Sequence, residues 1–352
     1  MRENAEEMWQ ISFSEAFGDE LSNHDFIYIE NSKGSYKWST EIVDNVKEAY
    51  GNPEIIQEAI DGCMVAVSGY APFTSEIMNA SKELKVIGIS RGGPVNVDQV
   101  TATENGIYVL RAVGRNAESV ADQTLGFILS ELRQIARHNE EIKSGEYFRK
   151  IDKVGRSNYL GSFNWMEANK KVLGLIGYGQ VGSRVAKRAN AFNMRVIVFD
   201  PYIDEKILLE EDCEPVDIDT LLKTSDFISI HAGLSPETHH MIDKEAFSKM
   251  KKTAILVNTA RGSIIDEDAL YNALKNGDIA SAALDVVEMD PIKPDNKLIQ
   301  LDNITLTPHT AGRSPDTEMR GYRQIAQQVA RYLRGKGIHS IHIANKDVLK
   351  KG

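Results

Sequence analysis

A glycine-rich turn between an apolar strand pattern and a helical pattern constrains the fold most. Gly177, Gly179 and Gly182 directly follow the apolar run VLGLI and open the helical pattern of residues 183–192. Glycines at this spacing permit a tight turn, close approach of the backbone to a pyrophosphate, and close packing of helix on strand. An ordinary turn can also hold such glycines, but the strand before them and the helix after them favour a dinucleotide-binding βαβ unit.

Asp200 stands at the end of the next predicted strand. A carboxylate there accepts hydrogen bonds from both hydroxyls of an adenosine ribose, and it repels a 2′-phosphate. The following residues, Pro201-Tyr202-Ile203, provide no arginine that could receive such a phosphate. Asp200 alone could be a solvated acid, but together with the glycine turn it predicts NAD as the cofactor in preference to NADP.

From about Ala59 onward, short apolar runs alternate with helical patterns, which is typical of parallel sheets with crossover helices. The predicted strands are 63–67, 85–89 and 107–110 in the first part, then 171–176, 195–200, 227–231, 253–258, 279–286 and 304–307. The predicted helices include 75–81, 96–105, one long helix at 116–143, and 315–333. Residues 144–170 have no clear period, and we interpret them as a connector or an oligomer contact. The first fifty residues, including Trp9 and Trp38, show the weakest secondary-structure pattern in the sequence.

These patterns predict an α/β protein with two Rossmann-like, doubly wound parallel-sheet domains. We expect residues 1–116 and 313–352 to form a discontinuous substrate domain, and residues 117–312 to form the NAD-binding domain. The active site is expected in the cleft between them.

Composition excludes several classes of function. The 352 residues include 41 Lys and Arg against 51 Asp and Glu, a net charge of −10, so a nucleic-acid partner is not expected. The polar N-terminus and the short apolar runs predict a cytoplasmic protein without a membrane span. Cys63 and Cys213 form no CxxC pattern, and His239-His240 have no nearby cysteine or third histidine, so we expect no metal.

Three polar segments are predicted at the carboxyl ends of strands, where open α/β sheets bind ligands. They are NTARG at 258–262, DVVEMDP at 285–291 and TPHTAG at 307–312. Hydride transfer to a 2-oxo acid needs a cation for the carboxylate and carbonyl, an acid for the forming alkoxide, and a group that keeps this acid charged. Arg261, His309 and Asp290 fit these roles in turn. Each residue alone has a structural explanation, as a surface ion-pair partner, a buried histidine or a turn residue, but their joint occurrence favours catalysis.

At these segments the sequence resembles the D-isomer-specific 2-hydroxyacid dehydrogenase family. The resemblance covers nearly the whole chain after about Cys63, and four motifs carry it in family order and spacing: VLGLIGYGQVG, LVNTARGSIIDEDAL, AALDVVEMDP and LTPHTAG. It implies an NAD-dependent enzyme that transfers a hydride between nicotinamide and a small 2-hydroxy or 2-oxo acid. It also implies that Arg261 binds substrate, that His309 is the acid/base, and that the acid before Pro291 pairs with the histidine.

The resemblance further implies that Gln180 and Val181 approach the pyrophosphate through backbone groups and that Thr259, Ala260 and Asp285 line the nicotinamide half. His231, at the end of a predicted strand, is a further candidate for a backbone contact to the cofactor. The full set of expected cofactor contacts is Gly177, Gly179, Gln180, Val181, Gly182, Asp200, His231, Thr259, Ala260, Arg261, Asp285, His309 and Gly312. Gly92 and Gly93 lie in the loop of residues 91–98, which resembles the family's substrate loop, whose backbone amides receive a carboxylate.

Two departures from the family pattern leave alternatives open. The usual acid partner of the histidine is glutamate, and here it is Asp290, whose side chain is shorter by one methylene. Either the histidine approaches Asp290 more closely, or Glu288 or a water fills the space between the two side chains. Phosphoglycerate members carry arginines where this chain has Ser68-Gly69-Tyr70, so an unphosphorylated substrate is favoured over a phosphoglycerate-type one. A homodimer is expected. The alternative to an enzyme is an NAD-binding corepressor or sensor.

Overall fold

The computed structural model describes residues 5–29, 41–161 and 165–350. They form two compact units, one made of the residues up to Arg115 together with those from Ser314 onward, the other spanning Asn116–Arg313. Element labels below follow chain order. Within the described ranges, no helix is both long enough and apolar enough to span a membrane.

In the described part of the first unit, three parallel strands form a sheet in the order β1-β2-β3. The strands are β1 (Val65–Ser68), β2 (Val86–Ile89) and β3 (Tyr108–Arg111). The helices are α1 (Ala5–Phe17), α2 (Pro53–Ala59), α3 (Ser75–Ala80), α4 (Gln99–Glu104) and α14 (Pro315–Leu333), with 3-10 turns at Gly18–Asn23, Ser340–His342 and Lys346–Lys350.

Helices cover both faces of this small sheet. Ile87 and Ile89 point to the core formed with α2, α3 and α4, whereas Val86 and Leu110 point to the core formed with α1 and α14. Successive side chains of a strand point to opposite faces, so strands buried on both sides are apolar throughout. Ile325 of α14 packs directly on Gly88, where a Cβ would lie only 2.5 Å from its methyl carbon.

In the second unit, seven described strands form one parallel sheet in the order β10-β9-β8-β7-β4-β5-β6. The strands are β4 (Val172–Ile176), β5 (Arg195–Phe199), β6 (Cys213–Pro215), β7 (Phe227–Ile230), β8 (Ile255–Asn258), β9 (Ser281–Leu284) and β10 (Ile304–Leu306). The helices are α5 (Ala117–Arg133), α6 (Ile135–Ser144), α7 (Glu146–Val154), α8 (Arg156–Gly161), α9 (Gly182–Ala191), α10 (Glu205–Glu210), α11 (Ile218–Thr224), α12 (Lys244–Lys249) and α13 (Glu267–Asn276), with 3-10 turns at Gly262–Ile264 and Lys297–Gln300.

The strand order reverses between β4 and β7. The chain runs outward from β4 through β5 to β6 and then crosses back to β7. Such a switch point leaves a crevice outside the carboxyl ends of the strands, and in open α/β sheets ligands bind there. The glycine turn that follows β4 lies at this point. The two parallel-sheet units confirm the predicted α/β class.

Two expectations about the second unit were wrong. Strand β6 was not predicted, because a three-residue edge strand ending in Pro215 has too little pattern to detect. The single helix expected at 116–143 is two helices, because Gln134 takes a left-handed conformation with φ of 54° and ends α5. The described part of residues 144–170, interpreted as a connector or an oligomer contact, contains α7 and α8, which are too short to show a clear period.

Two smaller expectations concern the first unit. The helix expected from residue 96 begins at Gln99, because the Asp98 side chain caps it by accepting hydrogen bonds from the backbone N–H groups of Val100 and Thr101. Trp9 lies in α1 and packs edge-on against Tyr322 of α14, with ring centroids 4.5 Å apart. Trp38 lies outside the described residues.

Candidate active site

The glycine turn after β4 is shaped by close backbone contacts. Gly177 has φ of 96°, which disfavours residues with a side chain, and a Cβ on it would lie 2.8 Å from the backbone nitrogen of Ala232. A Cβ on Gly182 would lie 2.3 Å from the carbonyl oxygen of Gly177. A Cβ on Gly179 would meet nothing within 4 Å, so the turn is tightly packed at both ends and open in the middle. This open backbone at the start of α9 fits the pyrophosphate of a dinucleotide.

Asp200 directly follows β5, and its carboxylate is held in place by the backbone. It accepts hydrogen bonds from the N–H groups of Tyr178, at 2.7 Å, and Tyr202, at 2.9 Å. A cavity of about 530 Å³ adjoins it, lined by apolar side chains, by Thr220 and by the carboxylates of Asp200, Glu205 and Asp217, and no lysine or arginine is among the described residues of this lining. This lining suits an adenosine with free ribose hydroxyls and repels a phosphate on that ribose.

The other expected cofactor contacts occupy several segments of the second unit. Gln180 is exposed, and its side chain accepts a hydrogen bond from Arg184. Val181 precedes α9. His231 follows β7, and its Nε2 lies 2.9 Å from the Ser229 hydroxyl. Burial lowers the pKa of His231 to about 3, so this imidazole is neutral at physiological pH.

The turn after β8 carries Thr259, Ala260 and Arg261. Asn258, fully buried at the end of β8, fixes this turn, because its side chain accepts a hydrogen bond from the N–H of Ala260 and donates one to the carbonyl of Arg261. The Thr259 hydroxyl is buried against that of Thr124 at 2.9 Å. The Arg261 side chain is exposed and donates to the carbonyl of Ala260. Its cationic group is therefore available to an anion.

The structure brings His309 and Asp290 together. The Nδ1 atom of His309 forms a hydrogen bond with the Asp290 carboxylate, and both side chains are about half exposed. Glu288, the alternative partner, lies elsewhere and bonds to His240 Nε2 at 2.8 Å. Because Nδ1 faces the carboxylate, Nε2 of His309 is the atom left to exchange a proton with a ligand.

A buried carboxylate holds the loop that carries His309. Asp285 is 2% exposed and accepts hydrogen bonds from the hydroxyl of Thr307 and from the N–H groups of Thr310 and Ala311. Its backbone carbonyl also accepts from the N–H of His309, which has φ of 52°. A non-glycine residue persists in this left-handed conformation only where its surroundings enforce it. In this structure the Asp285 carboxylate thus organises the histidine loop, a role that its expected cofactor contact did not include.

Gly262 lets two of these loops approach closely. A Cβ at Gly262 would lie 1.9 Å from the carbonyl oxygen of Val287, so only glycine fits. The turn of Arg261 therefore packs directly on the loop that leads to Asp290. Gly312, the last expected cofactor contact, lies at the end of the histidine loop, where a Cβ would meet the Asn116 side chain at 2.7 Å.

The expected substrate loop lies in the first unit, after β2. Gly92 and Gly93 are exposed, and the loop is tied to β3 by a hydrogen bond from the N–H of Ala112 to the carbonyl of Arg91. The Arg91 side chain stacks over the Tyr70 ring at 4.9 Å and pairs with Glu48.

Sequence reasoning did not single out Arg115. It follows β3, and the groups close enough to influence its charge are Tyr70, Arg91, Glu318 and Tyr322. Burial lowers the pKa of Arg115 and raises that of Tyr322 to about 12. No local pattern marks Arg115, because its neighbours come from the ends of β1 and β2 and from α14.

The chain is similar to several known proteins. Residues 125–311 match the family model of the D-isomer specific 2-hydroxyacid dehydrogenase, NAD binding domain. A glyoxylate reductase of Korarchaeum cryptofilum is 34% identical over 304 residues, which is 86% of this chain and 89% of the relative. A D-3-phosphoglycerate dehydrogenase of Methanocaldococcus jannaschii is 39% identical over 299 residues, 84% of this chain and 55% of the relative. The chain thus spans about half the length of the phosphoglycerate dehydrogenases it matches.

Among solved structures, a D-isomer specific 2-hydroxyacid dehydrogenase from Lactobacillus delbrueckii ssp. bulgaricus in its NAD-complexed form has a TM-score of 0.69 and 25% identity, covering 80% of this chain and 87% of that one. The open turn at Gly179 and the carboxylate of Asp200 fit NAD, which is the cofactor of the second unit. The matched domain, the similarity along most of the chain and the shared fold together show that this chain belongs to the D-isomer-specific 2-hydroxyacid dehydrogenase family.

Proposed function

We propose that this chain is an NAD-dependent dehydrogenase that interconverts a small 2-hydroxy acid and the corresponding 2-oxo acid. The observation that carries the proposal is the His309–Asp290 pair, held on a loop that the buried Asp285 organises, in a unit that binds NAD. A histidine paired with a carboxylate is suited to general acid and base catalysis, because the carboxylate stabilises the protonated imidazole and orients the ring.

The proposed roles follow from the chemistry of reduction. NADH supplies the hydride that is added to C2 of the 2-oxo acid. His309 Nε2 donates the proton to the C2 oxygen. Before this transfer the His309 ring is a positively charged imidazolium, and the carboxylate of Asp290 compensates that charge. The exposed guanidinium of Arg261 binds the substrate carboxylate and polarises the carbonyl, since its planar fork matches two oxygens at once.

The roles of the two units are part of the proposal. Residues 117–312 form the NAD-binding domain, and residues 1–116 with 313–352 form the substrate domain, in which the amides of Gly92 and Gly93 receive a carboxylate. The residues proposed to contact NAD are the set expected from the sequence, from Gly177 to Gly312. The carboxylate-lined cavity at Asp200 supports a preference for NAD over NADP.

We propose an unphosphorylated substrate of D configuration. A phosphoglycerate-type substrate is the second candidate, because Arg91 and Arg115 lie near each other at the carboxyl edge of the small sheet. However, Glu48 pairs with Arg91, and Glu318 lies close to Arg115. The two carboxylates offset much of the positive charge that a phosphate dianion would need.

A screen of 2-oxo acids with the purified protein tests these assignments. Glyoxylate, hydroxypyruvate, pyruvate and 3-phosphohydroxypyruvate are each supplied with NADH or NADPH, and loss of reduced cofactor is followed before chiral analysis of the product. We expect turnover of an unphosphorylated acid and a preference for NADH of roughly two orders of magnitude in kcat/KM, about 3 kcal/mol. A protein that binds NADH but turns over none of these acids would instead support a corepressor or sensor.

Arg261 has its own test. Arg261→Lys keeps the charge but loses the planar two-point contact, so we expect kcat/KM to fall by about 10²-fold, a much larger change than that in NADH affinity. Activity near that of the wild type would remove the proposed role of Arg261.

The assembly and compartment are further parts of the proposal: a homodimer in the cytoplasm. Helices α6 and α7 carry exposed apolar side chains, among them Ile135, Ile142 and Phe148, which are 57%, 53% and 54% exposed. Such a group is costly to leave in water and suits an interface with a second copy. Sedimentation of the wild type and of Phe148→Glu tests it, with a shift from dimer to monomer expected for the variant.

A further inference from the structure

A second group of metal-ligating side chains lies outside the proposed catalytic residues, in the turn between β7 and α12. His239 and His240 end a compact turn, in which the N–H of Ser235 donates to the Thr238 hydroxyl at 2.8 Å and the N–H of His239 donates to the carbonyl of Ser235 at 2.9 Å. The N–H of His240 donates to the carbonyl of Ser263 at 2.9 Å. The backbone that presents both imidazoles is therefore fixed.

Glu288 completes the group from a distant segment. Its carboxylate lies 2.8 Å from His240 Nε2, and its own N–H donates to the Glu267 carboxylate at 3.1 Å. The rings of His239 and His240 stack with centroids 4.0 Å apart. One ligand atom from each of His239, His240 and Glu288 lies within 4.8 Å of the other two. The three residues are defined here as the His-His-Glu cluster.

The chemistry of this cluster matches a transition metal. Zn²⁺ bonds to imidazole nitrogen and carboxylate oxygen at about 2.0–2.2 Å, which places tetrahedral ligands roughly 3.3–3.5 Å apart. The donor atoms already lie within 4.8 Å of one another, and the side chains of His239 and Glu288 are exposed and free to rotate toward this spacing. A simple hydrogen-bonded pair needs only His240 and Glu288. The stacked second imidazole has no role in such a pair, but it provides a third ligand.

We propose that the His-His-Glu cluster binds one Zn²⁺ ion, with a position left open for water. The sequence alone gave the opposite expectation, because the third ligand is not a nearby histidine or cysteine but a glutamate that the fold supplies. Bound metal joins the turn after β7 to the loop after β9, two residues before Asp290. The His-His-Glu cluster is separate from the His309–Asp290 pair, since no ligand is shared.

Zn²⁺ titration of the tag-free, chelator-dialysed full chain, in competition with a chromophoric chelator, tests the proposal. We expect one Zn²⁺ per chain with a Kd on the order of micromolar or tighter. Glu288→Gln and His240→Asn should weaken binding at least tenfold, whereas the matched changes at the other pair, Asp290→Asn and His309→Asn, should leave it unchanged. Zn²⁺ should raise the Tm of the wild type but not of Glu288→Gln, because a ligand of the native state alone stabilises it.

Two further measurements keep the test independent of folding defects. His239→Gln alters an exposed side chain, so it should fold normally and still lose affinity for Zn²⁺. Co²⁺ should give the strong visible absorption of a four-coordinate site in the wild type and lose it in His239→Gln. Wild-type protein without saturable binding, equal binding by wild type and Glu288→Gln, or binding that depends on His309 instead of His240 would each overturn the proposal.

Discussion

His309 and His240 occupy the same local conformation but different surroundings. Both have a left-handed backbone, with φ of 52° and 51°, and both bond a carboxylate of the loop after β9. His309 lies on a loop held by four hydrogen bonds to Asp285, three to the carboxylate and one to the carbonyl. His240 lies in a surface turn beside a second imidazole. The comparison suggests a rule that experiment can test: the pair on the hydrogen-bonded loop is proposed to transfer a proton, and the pair beside a third donor is proposed to bind a cation.

The largest expected difference between the two pairs is in turnover. Asparagine tolerates the left-handed region, so His309→Asn should keep the fold and lose the proton donor. We expect kcat to fall by about 10³-fold, within the range for loss of general acid catalysis, whereas His240→Asn should change kcat by less than about threefold in a chelator-containing buffer. NADH oxidation gives kcat, and NADH titration by fluorescence checks that both variants bind cofactor. Equal losses would show that the two pairs are not functionally distinct.

The carboxylates provide the next comparison. Asp290→Asn retains the shape but removes the charge that stabilises the imidazolium, so we expect kcat to fall at least about tenfold. Glu288→Gln, two residues away, should lower kcat by less than about threefold. Steady-state kinetics with the best substrate of the screen measures both. A larger loss in Glu288→Gln would transfer the role of acid partner from Asp290 to Glu288.

The support of the His309 loop can be removed directly. In Asp285→Asn an amide replaces a buried carboxylate that accepts three hydrogen bonds, and its N–H₂ group faces donors. We expect a loss of roughly 1–3 kcal/mol in the free energy of unfolding and a several-fold lower kcat. Urea denaturation and kinetics measure the two effects. An unchanged kcat with reduced stability would mean that the loop is not what sets the position of His309.

A third histidine concerns the pH dependence of stability and not turnover. His231 has a pKa of about 3 in the fold because of burial, against about 6.5 in an unfolded chain. Below about pH 6.5 the unfolded state therefore binds a proton that the folded state does not. The free energy of unfolding should fall as the pH falls from about 6.5 toward 3, by at most about 1.4 kcal/mol per pH unit.

His231→Asn should remove this contribution, so wild type and variant should converge in stability as the pH falls from 7 to 5. Chemical denaturation at each pH measures the difference, with the exposed His339→Gln as the control. Parallel curves for wild type and His231→Asn would contradict a buried, neutral imidazole.

The sequence by itself determined the parts of this protein whose signal is local. The strand–glycine turn–helix around Gly177 and the acid at Asp200 depend on neighbours in the chain, because the turn, the helix start and the strand end are formed by consecutive residues. The alternation of apolar runs and helical patterns determined the parallel α/β class in the same way. Short elements such as β6, and the break at Gln134, lay below what periodicity can detect.

Only the tertiary structure decided which distant side chains meet. The sequence left both Asp290 and Glu288 as candidate partners of His309. It does not decide which of two acids two residues apart bonds to the histidine, because the loop conformation sets the direction of each side chain. The fold directs Asp290 to His309 and Glu288 to His240, and it buries Asp285 beneath the histidine loop. The physical reason is that these contacts depend on how loops from separate strands pack on one another, as Gly262 packs on Val287, and the local sequence of one loop does not determine which other loop it meets.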